Sequence, residues 1–221
     1  MIILALDAAL GRCSVCLVAD GIVLAQRHQD GGRGQAALLA PMVAEVLAEA
    51  GITATGLAAV AVTTGPGSFT GLRAAIALAQ GIAAGAGCAL IGVTVAEVLI
   101  AALPARAANR EIWVAIDSRR DRVFLLRGAD HAAYALNALP VASGRIAVAG
   151  DAAIAVACRL AARGTASVML TDARLPDAVM LAAVAARRLA DQLPMVPVEP
   201  MYIDAPEAKL PAGGLRPAPL A

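Results

Sequence analysis

Aromatic side chains, histidine and charge are all scarce in this sequence. Two Phe, two Tyr and one Trp among 221 residues exclude a core built on rings, so packing relies on Leu, Ile and Val among many alanines. The two histidines, His28 and His131, are too far apart for an H-x-x-x-H metal pair, and each reads as a surface residue. Charged residues make up 16% of the chain and the net charge is +1, which excludes the basic field of a direct nucleic-acid binder. Any contact with nucleic acid is expected to run through a partner. Of four cysteines only Cys13 and Cys16 are neighbours, and their C-x-x-C spacing lies in CSVCLVA, which reads as a strand. Positions three apart on a strand face opposite ways, so buried reduced thiols of a cytoplasmic protein are expected rather than a zinc or redox site. MIILALD has no basic region and its apolar run ends at Asp7, unlike a signal peptide. The uncharged stretch 74–96 is long enough to span a membrane, but Gln80 and the GAGC at 85–88 divide it into a helix and a short strand.

The length allows one large domain or two small ones. ILAL (3–6), CSVCLVA (13–19) and IVLAQ (22–26) read as three antiparallel strands, with Asp20-Gly21 as a hairpin turn. Residues 34–51 place Leu39, Met42, Val43, Val46, Leu47 and Ala50 on one helical face, with Pro41 either kinking the helix or marking its first turn. A strand at 57–63, a helix at 71–85, a strand at 88–93 and a helix at 94–103 complete the order βββαβαβα. After Pro104 the pattern recurs: EIWVAID (111–117) ends in Asp117 as IILALD ends in Asp7, RVFLLR follows, then AVAGD (147–151), a helix at 152–163, SVML (167–170) and a helix at 177–193. This is a candidate internal duplication, with one unit at 1–104 and a smaller one at 105–221. Seven of the twelve prolines lie from Pro194 onward, so an extended tail is expected, packed on the surface or mobile. Two α/β lobes of related βββαβαβα type, each with an acid ending its first strand, suggest the actin-like, ribonuclease-H-like (ASKHA) architecture.

Between the strand and the helix of 71–85 runs TTGPGSFTGLR. The loop leaves the carboxyl end of a strand and feeds a helix N-terminus, where open α/β sheets place ligands and where free N–H groups favour an anion. Gly65, Gly67 and Gly71 permit tight geometry, Ser68 or Thr70 can cap the helix, and Arg73 stands in the first turn. Neither nucleotide motif fits, because Gly71 is followed by Leu72 and Arg73 rather than by Lys and Ser or Thr, and Thr70 occupies the third-glycine position of a dinucleotide fingerprint. A cation in a first turn is disfavoured, so Arg73 calls for a carboxylate or an anionic ligand. Two readings stand: an anion-binding loop, or a rigid turn with Arg73 in an internal salt bridge. The helix behind it is apolar nearly all round, apart from Gln80, and so calls for cover on every side. That cover is either a protein partner or burial under the first long helix. No G-x-S-x-G elbow accompanies Ser68, and Asp7 and Asp117 are either a metal pair across a cleft or turn formers. No catalytic group is assigned and no resident metal is expected.

ILALDAALGRCSVCLV, LLAPMVAEVLAEAGI, LAAVAVTTGPGSFTGLRAAIALAQGIA and LIGVT resemble the TsaB (YeaZ) proteins of bacteria. The likeness is dense over residues 2 to 100 and thinner from 111, where WVAIDSRRDRVF, AGDAA and YIDAPEAKLP carry it. The resemblance implies an actin-like fold without an active site of its own, serving tRNA N6-threonylcarbamoyladenosine modification beside a catalytic TsaD-like subunit and a TsaE-like ATPase, with a homodimer when alone. It implies partner binding through the helices at 35–50 and 71–85, for which Leu39, Met42, Val43, Val46, Leu72, Ala75, Ile76, Ala79, Ile82 and Ala83 are the candidates. No cofactor of its own is implied, and a nucleotide at the partner interface stays open. The alternative is an actin-like enzyme, a kinase or acyl transferase, using the loop and Asp7. The chain departs from the family pattern at Ala8 (usually Thr), Gln35 (His), Arg122 (Glu), Ala152 (Gly) and Asp204 (Arg), which weakens a nucleotide site more than a helical interface.

Overall fold

Asp20 and Gly21 take φ of 48° and 83°, the positive pair that a two-residue hairpin turn needs. They fold β2 (Arg12–Ala19) back on β3 (Ile22–Asp30). β1 (Ile2–Asp7) lies antiparallel to β2, with Asp7 opposite Ser14, and parallel to β4 (Ala59–Gly65), with Leu6 opposite Val62. With β5 (Ala89–Thr94) the sheet runs β3-β2-β1-β4-β5. Every residue of β4 is buried, as a parallel strand covered on both faces must be. The computed structural model describes residues 1–31, 34–119, 121–165 and 167–204, without the Gln35 side chain. The part of the proline-rich tail beyond 204 lies outside the described residues.

α1 (Leu39–Ala50), entered through a 3-10 turn at Gln35–Leu38, has Pro41 in its first turn, where a missing N–H breaks no helical bond. It shares one face of the sheet with α2 (Phe69–Ala86). On the other face α3 (Val95–Ala101) starts from a reciprocal cap between Thr94 and Glu97.

The second sheet comprises β6 (Glu111–Asp117), β7 (Arg122–Arg127), β8 (Asp130–Ala135), β9 (Ile146–Ala149) and β10 (Val168–Leu170), in the order β10-β9-β6-β7-β8. Strand for strand this repeats the first sheet. Even the first turn recurs: Asp7 accepts a hydrogen bond from the Ala9 amide, and Asp117 accepts one from the Arg119 amide. Against the expected βββαβαβα, one strand not read from the sequence completes the opening βββ, and one helix is missing. β8, read from the alanine-rich DHAAYA, is a strand that its composition does not announce. Only a 3-10 turn at Leu136–Ala138 follows it, so the counterpart of α1 is missing. α4 (Ala153–Ala162) covers the second sheet with Val156 and Leu160 packed on Trp113 and Val148.

The far end of the expected second unit, 105–221, lies against the first sheet. α5 (Ala178–Leu189) returns to the first sheet, where Leu181, Ala182, Val184 and Ala185 pack on Ile3, Ala5, Cys16, Ile91 and Val93. That face has only short α3 from its own half of the chain, so the first lobe borrows its cover. A further cluster, including Leu10, Leu72, Leu99, Ile116, Leu126 and Met201, fills the seam between the lobes.

Candidate functional site

Asp7 ends β1 fully buried. Its Oδ1 accepts hydrogen bonds from Thr63 Oγ1 at 2.6 Å and from the Ala9 amide at 3.1 Å, while Oδ2 has no hydrogen-bond partner among the described residues. Burial pushes the carboxyl up to about 7, against the pull of those two donors. The glycine loop lies directly on the turn that Asp7 organises. A β-carbon on Gly67 would overlap the Ala9 carbonyl oxygen, and one on Gly71 that of Ala8. The Ser68 amide donates to Ala9 O at 2.6 Å, and Ser68 Oγ accepts from the Gly71 amide to cap α2.

Close backbone approach therefore accounts for Gly67 and Gly71, and two of the amides an anion would need are already bonded. Gly65 takes φ of 114° beside Met201. Thr70 is exposed. Among the described residues Arg73 is paired with no carboxylate: its guanidinium lies 3.6 Å over the Phe69 ring, and its Nε and Nη2 donate to the Tyr202 hydroxyl at 3.1 and 2.9 Å. An aromatic face and a phenol supply the negative potential that a carboxylate was expected to give.

Between the lobes opens a cavity of about 600 Å3, lined among others by Leu10, Ser68, Arg73, Asp117, Asp151 and Tyr202. Asp151 Oδ1 accepts from the Asp117 amide at 2.9 Å, and burial raises the Asp151 carboxyl. Asp7 and Asp117 each serve a turn, and among the described residues no group of three His, Cys, Asp or Glu could hold a metal. Cys13 points under α1 and Cys16 under α5, on opposite faces, and burial pushes the Cys16 thiol up to about 12. His28 and His131 are exposed. Two of the departures from the family pattern meet each other: Arg122 Nη1 stands 3.2 Å from Asp204 Oδ2.

Most of the candidate partner residues face inward. Leu39, Val43 and Val46 of α1, and Leu72, Ala75, Ile76, Ala79 and Ala83 of α2, are buried in the single chain, with Met42 and Ile82 half-buried at the margin. Helical periodicity selects the most apolar face, and the chain's own sheet takes that face. What it leaves outside is different. Thr70, Arg73, Ala77, Gln80, Gly81, Ala84 and Gly85 are exposed and Ala74 is half-buried. Ala74, Ala77, Gly81 and Ala84 follow a three-four-three spacing, the seam of a helix pair. A β-carbon on Gly81 or Gly85 would meet nothing within 4 Å. Arg73 is the only charge on this helix. Beside it α1 exposes Pro41, Ala44 and Ala48, while Glu45 and Glu49 turn to Arg27 of β3. By length and composition α2 could cross a membrane, but its inner face is seated on the sheet.

The family model of TsaD, tRNA N6-adenosine threonylcarbamoyltransferase, matches residues 29–169. The tRNA threonylcarbamoyladenosine biosynthesis protein TsaB of Escherichia coli is 37% identical over 124 residues, 56% of this chain and 53% of that protein. The chain thus spans about half the length of the curated relatives it matches. YeaZ from Pseudomonas aeruginosa superposes with a TM-score of 0.76 at 27% identity, covering 91% of this chain and 99% of that one. Component A of the (R)-2-hydroxyglutaryl-CoA dehydratase of Acidaminococcus fermentans superposes with a TM-score of 0.50 at 12% identity, over 86% of this chain and 99% of its own, a likeness of fold alone.

Proposed function

Since the chain belongs to the TsaB (YeaZ) family, inside the wider family of the tRNA N6-adenosine threonylcarbamoyltransferase model, and has the actin-like α/β fold, we propose that it is a non-catalytic scaffold subunit of tRNA N6-threonylcarbamoyladenosine modification. It binds and activates a TsaD-like threonylcarbamoyltransferase, and a TsaE-like ATPase joins the pair. tRNA is met through the partner, and the same surface makes a homodimer when the partner is absent. The setting is the cytoplasm.

One observation carries this reading: the outer face of α2 is exposed, nearly uncharged and paved with alanine and glycine over an 18-residue helix. Small residues let a second helix approach backbone to backbone, and contiguous apolar surface of this kind marks an interaction site. The enzyme alternative has less to stand on, because the glycine loop is packed on its own chain and Asp7 is sealed from the cavity. The seat of the partner is Ala74, Ala77, Gly81 and Ala84, with Pro41, Ala44 and Ala48 of α1 beside them.

The test mixes the purified chain with a TsaD-like partner and measures the mass of the complex. Ala77→Glu and Gly81→Glu fall on open surface, so neither should lower the unfolding free energy by more than about 0.5 kcal/mol, while the complex is lost. Ala79→Glu on the buried face should instead unfold the chain. A full-mass complex with folded Ala77→Glu and Gly81→Glu would overturn the assignment of this face.

A further inference from the structure

Residues 194–204, beyond α5, stay on the molecule. Arg188 Nε donates to the Pro194 carbonyl at 2.6 Å. The Val196 and Pro197 carbonyls then pass over Gly92, where a β-carbon would lie 3.0 to 3.1 Å from them. Val198 packs against the core beneath α1 and α2. The Met201 amide donates to Thr64 O at 2.7 Å, and its side chain enters the seam between the lobes. Every polar contact up to this point is made to the first lobe or within the tail. Residues 201–204 form part of the wall of the inter-lobe cavity. Tyr202 is held by Arg73, at the head of α2, and Asp204 reaches Arg122, at the start of β7 in the second lobe.

We propose that residues 194–204 are a strap that closes the cleft between the lobes, anchored on the first and latched to the second by the Arg122–Asp204 ion pair. The two ends differ in strength by construction. At the anchor, Arg188 is buried and bonded to Gly92 O, Pro194 O and Glu97. At the latch, the side chains are 43% and 29% exposed, so their attraction is modest and screened by salt. Opening therefore begins at Asp204 and stops at the anchor. Tyr202 adds a second control, since an acceptor that takes the Arg73 guanidinium competes with the phenol.

The isolated full chain is enough to test the strap, and the outcome does not depend on the helix-face reading. Hydrogen exchange is followed at the Met201 amide and at residues 202–204, with the Val62 amide of β4 reporting that the fold is intact. Asp204→Arg sets like charges face to face and should speed strap exchange about threefold or more, leaving Val62 unchanged. Exchanging both charges, Arg122→Asp with Asp204→Arg, should return the rate to that of the wild type. Raising salt from about 0.05 to about 1 M should speed exchange in the wild type but not in Asp204→Asn. A wild-type rate in Asp204→Arg, or a folded double variant as fast as the single one, overturns the latch. If the double variant does not fold, the salt series decides: a wild-type rate indifferent to salt overturns it equally.

Discussion

Burial makes the Asp7 charge costly to the folded chain. The Asp7 carboxyl, at about 7 in the native chain against 3.8 when free, makes folding take up a proton between those values. The stabilisation from holding that proton is complete below about pH 4, declines as the unfolded chain ionises, and is gone above about pH 7. The expected result is a loss of a few kcal/mol in stability between pH 5 and pH 8, measured by urea unfolding. Asp7→Asn keeps an acceptor for Thr63 and Ala9 and should flatten most of that slope. Its place after an apolar strand marked Asp7 as a turn former, and its partner in the duplicated turn, Asp117, was visible for the same reason. Thr63, 56 positions away, was not, because only the parallel pairing of β1 with β4 brings the hydroxyl to the carboxyl. Glycine separates along the same line. Gly71→Ala drives a methyl into the Ala8 carbonyl and should cost upwards of 1 kcal/mol.

At the scale of one helix, α2 shows what periodicity can and cannot say. Its existence and near lack of charge were legible, but its start was not settled: it was expected at 71 with Ser68 or Thr70 as the cap, and it begins at Phe69 behind Ser68. Its orientation was not. Ala75 and Ala79 are buried while Ala77 and Ala84 are exposed, and nothing local distinguishes one alanine from another. The sheet decides, by claiming the stripe that carries Leu72 and Ile76. β8 was hidden for a related reason: DHAAYA has no β-branched residue, and it is a strand because β7 offers a free edge for pairing. The exposed glycine makes the orientation testable in the lone chain. Gly81→Ala fills open space on a helix and should stabilise it by about 0.5 to 1 kcal/mol in thermal or urea unfolding, opposite in sign to Gly71→Ala ten residues earlier.

Across the whole molecule, the order of the chain and the order of the lobes part company after β10. The duplication was readable because strand, turn and acid recur locally. The return of α5 was not, because its amphipathic pattern fits either sheet and only the bare face of the first one selects it. Arg188 fixes that return. It is 1% exposed and bonded to Glu97 Oε1 at 2.5 Å, to Gly92 O at 2.6 Å and to Pro194 O, so α5, β5, the α3 cap and the tail share one buried cation. Arg188→Met takes the cation from Glu97, which keeps its bonds to Thr94, and leaves the Gly92 and Pro194 carbonyls without that donor; it should cost about 2 to 3 kcal/mol, seen as a lower urea midpoint and as faster proteolysis between 194 and 204. The same geometry predicts what cutting the chain does. A fragment of residues 1–104 keeps every strand of the first sheet but exposes Ile3, Ala5, Ile91 and Val93, which α5 covers in the intact chain. That fragment should aggregate or lack cooperative unfolding, and adding residues 105–221 in trans should restore a native circular dichroism spectrum. A monomeric 1–104 fragment with a sharp unfolding transition would show that the first lobe has a core of its own and that α5 only decorates it.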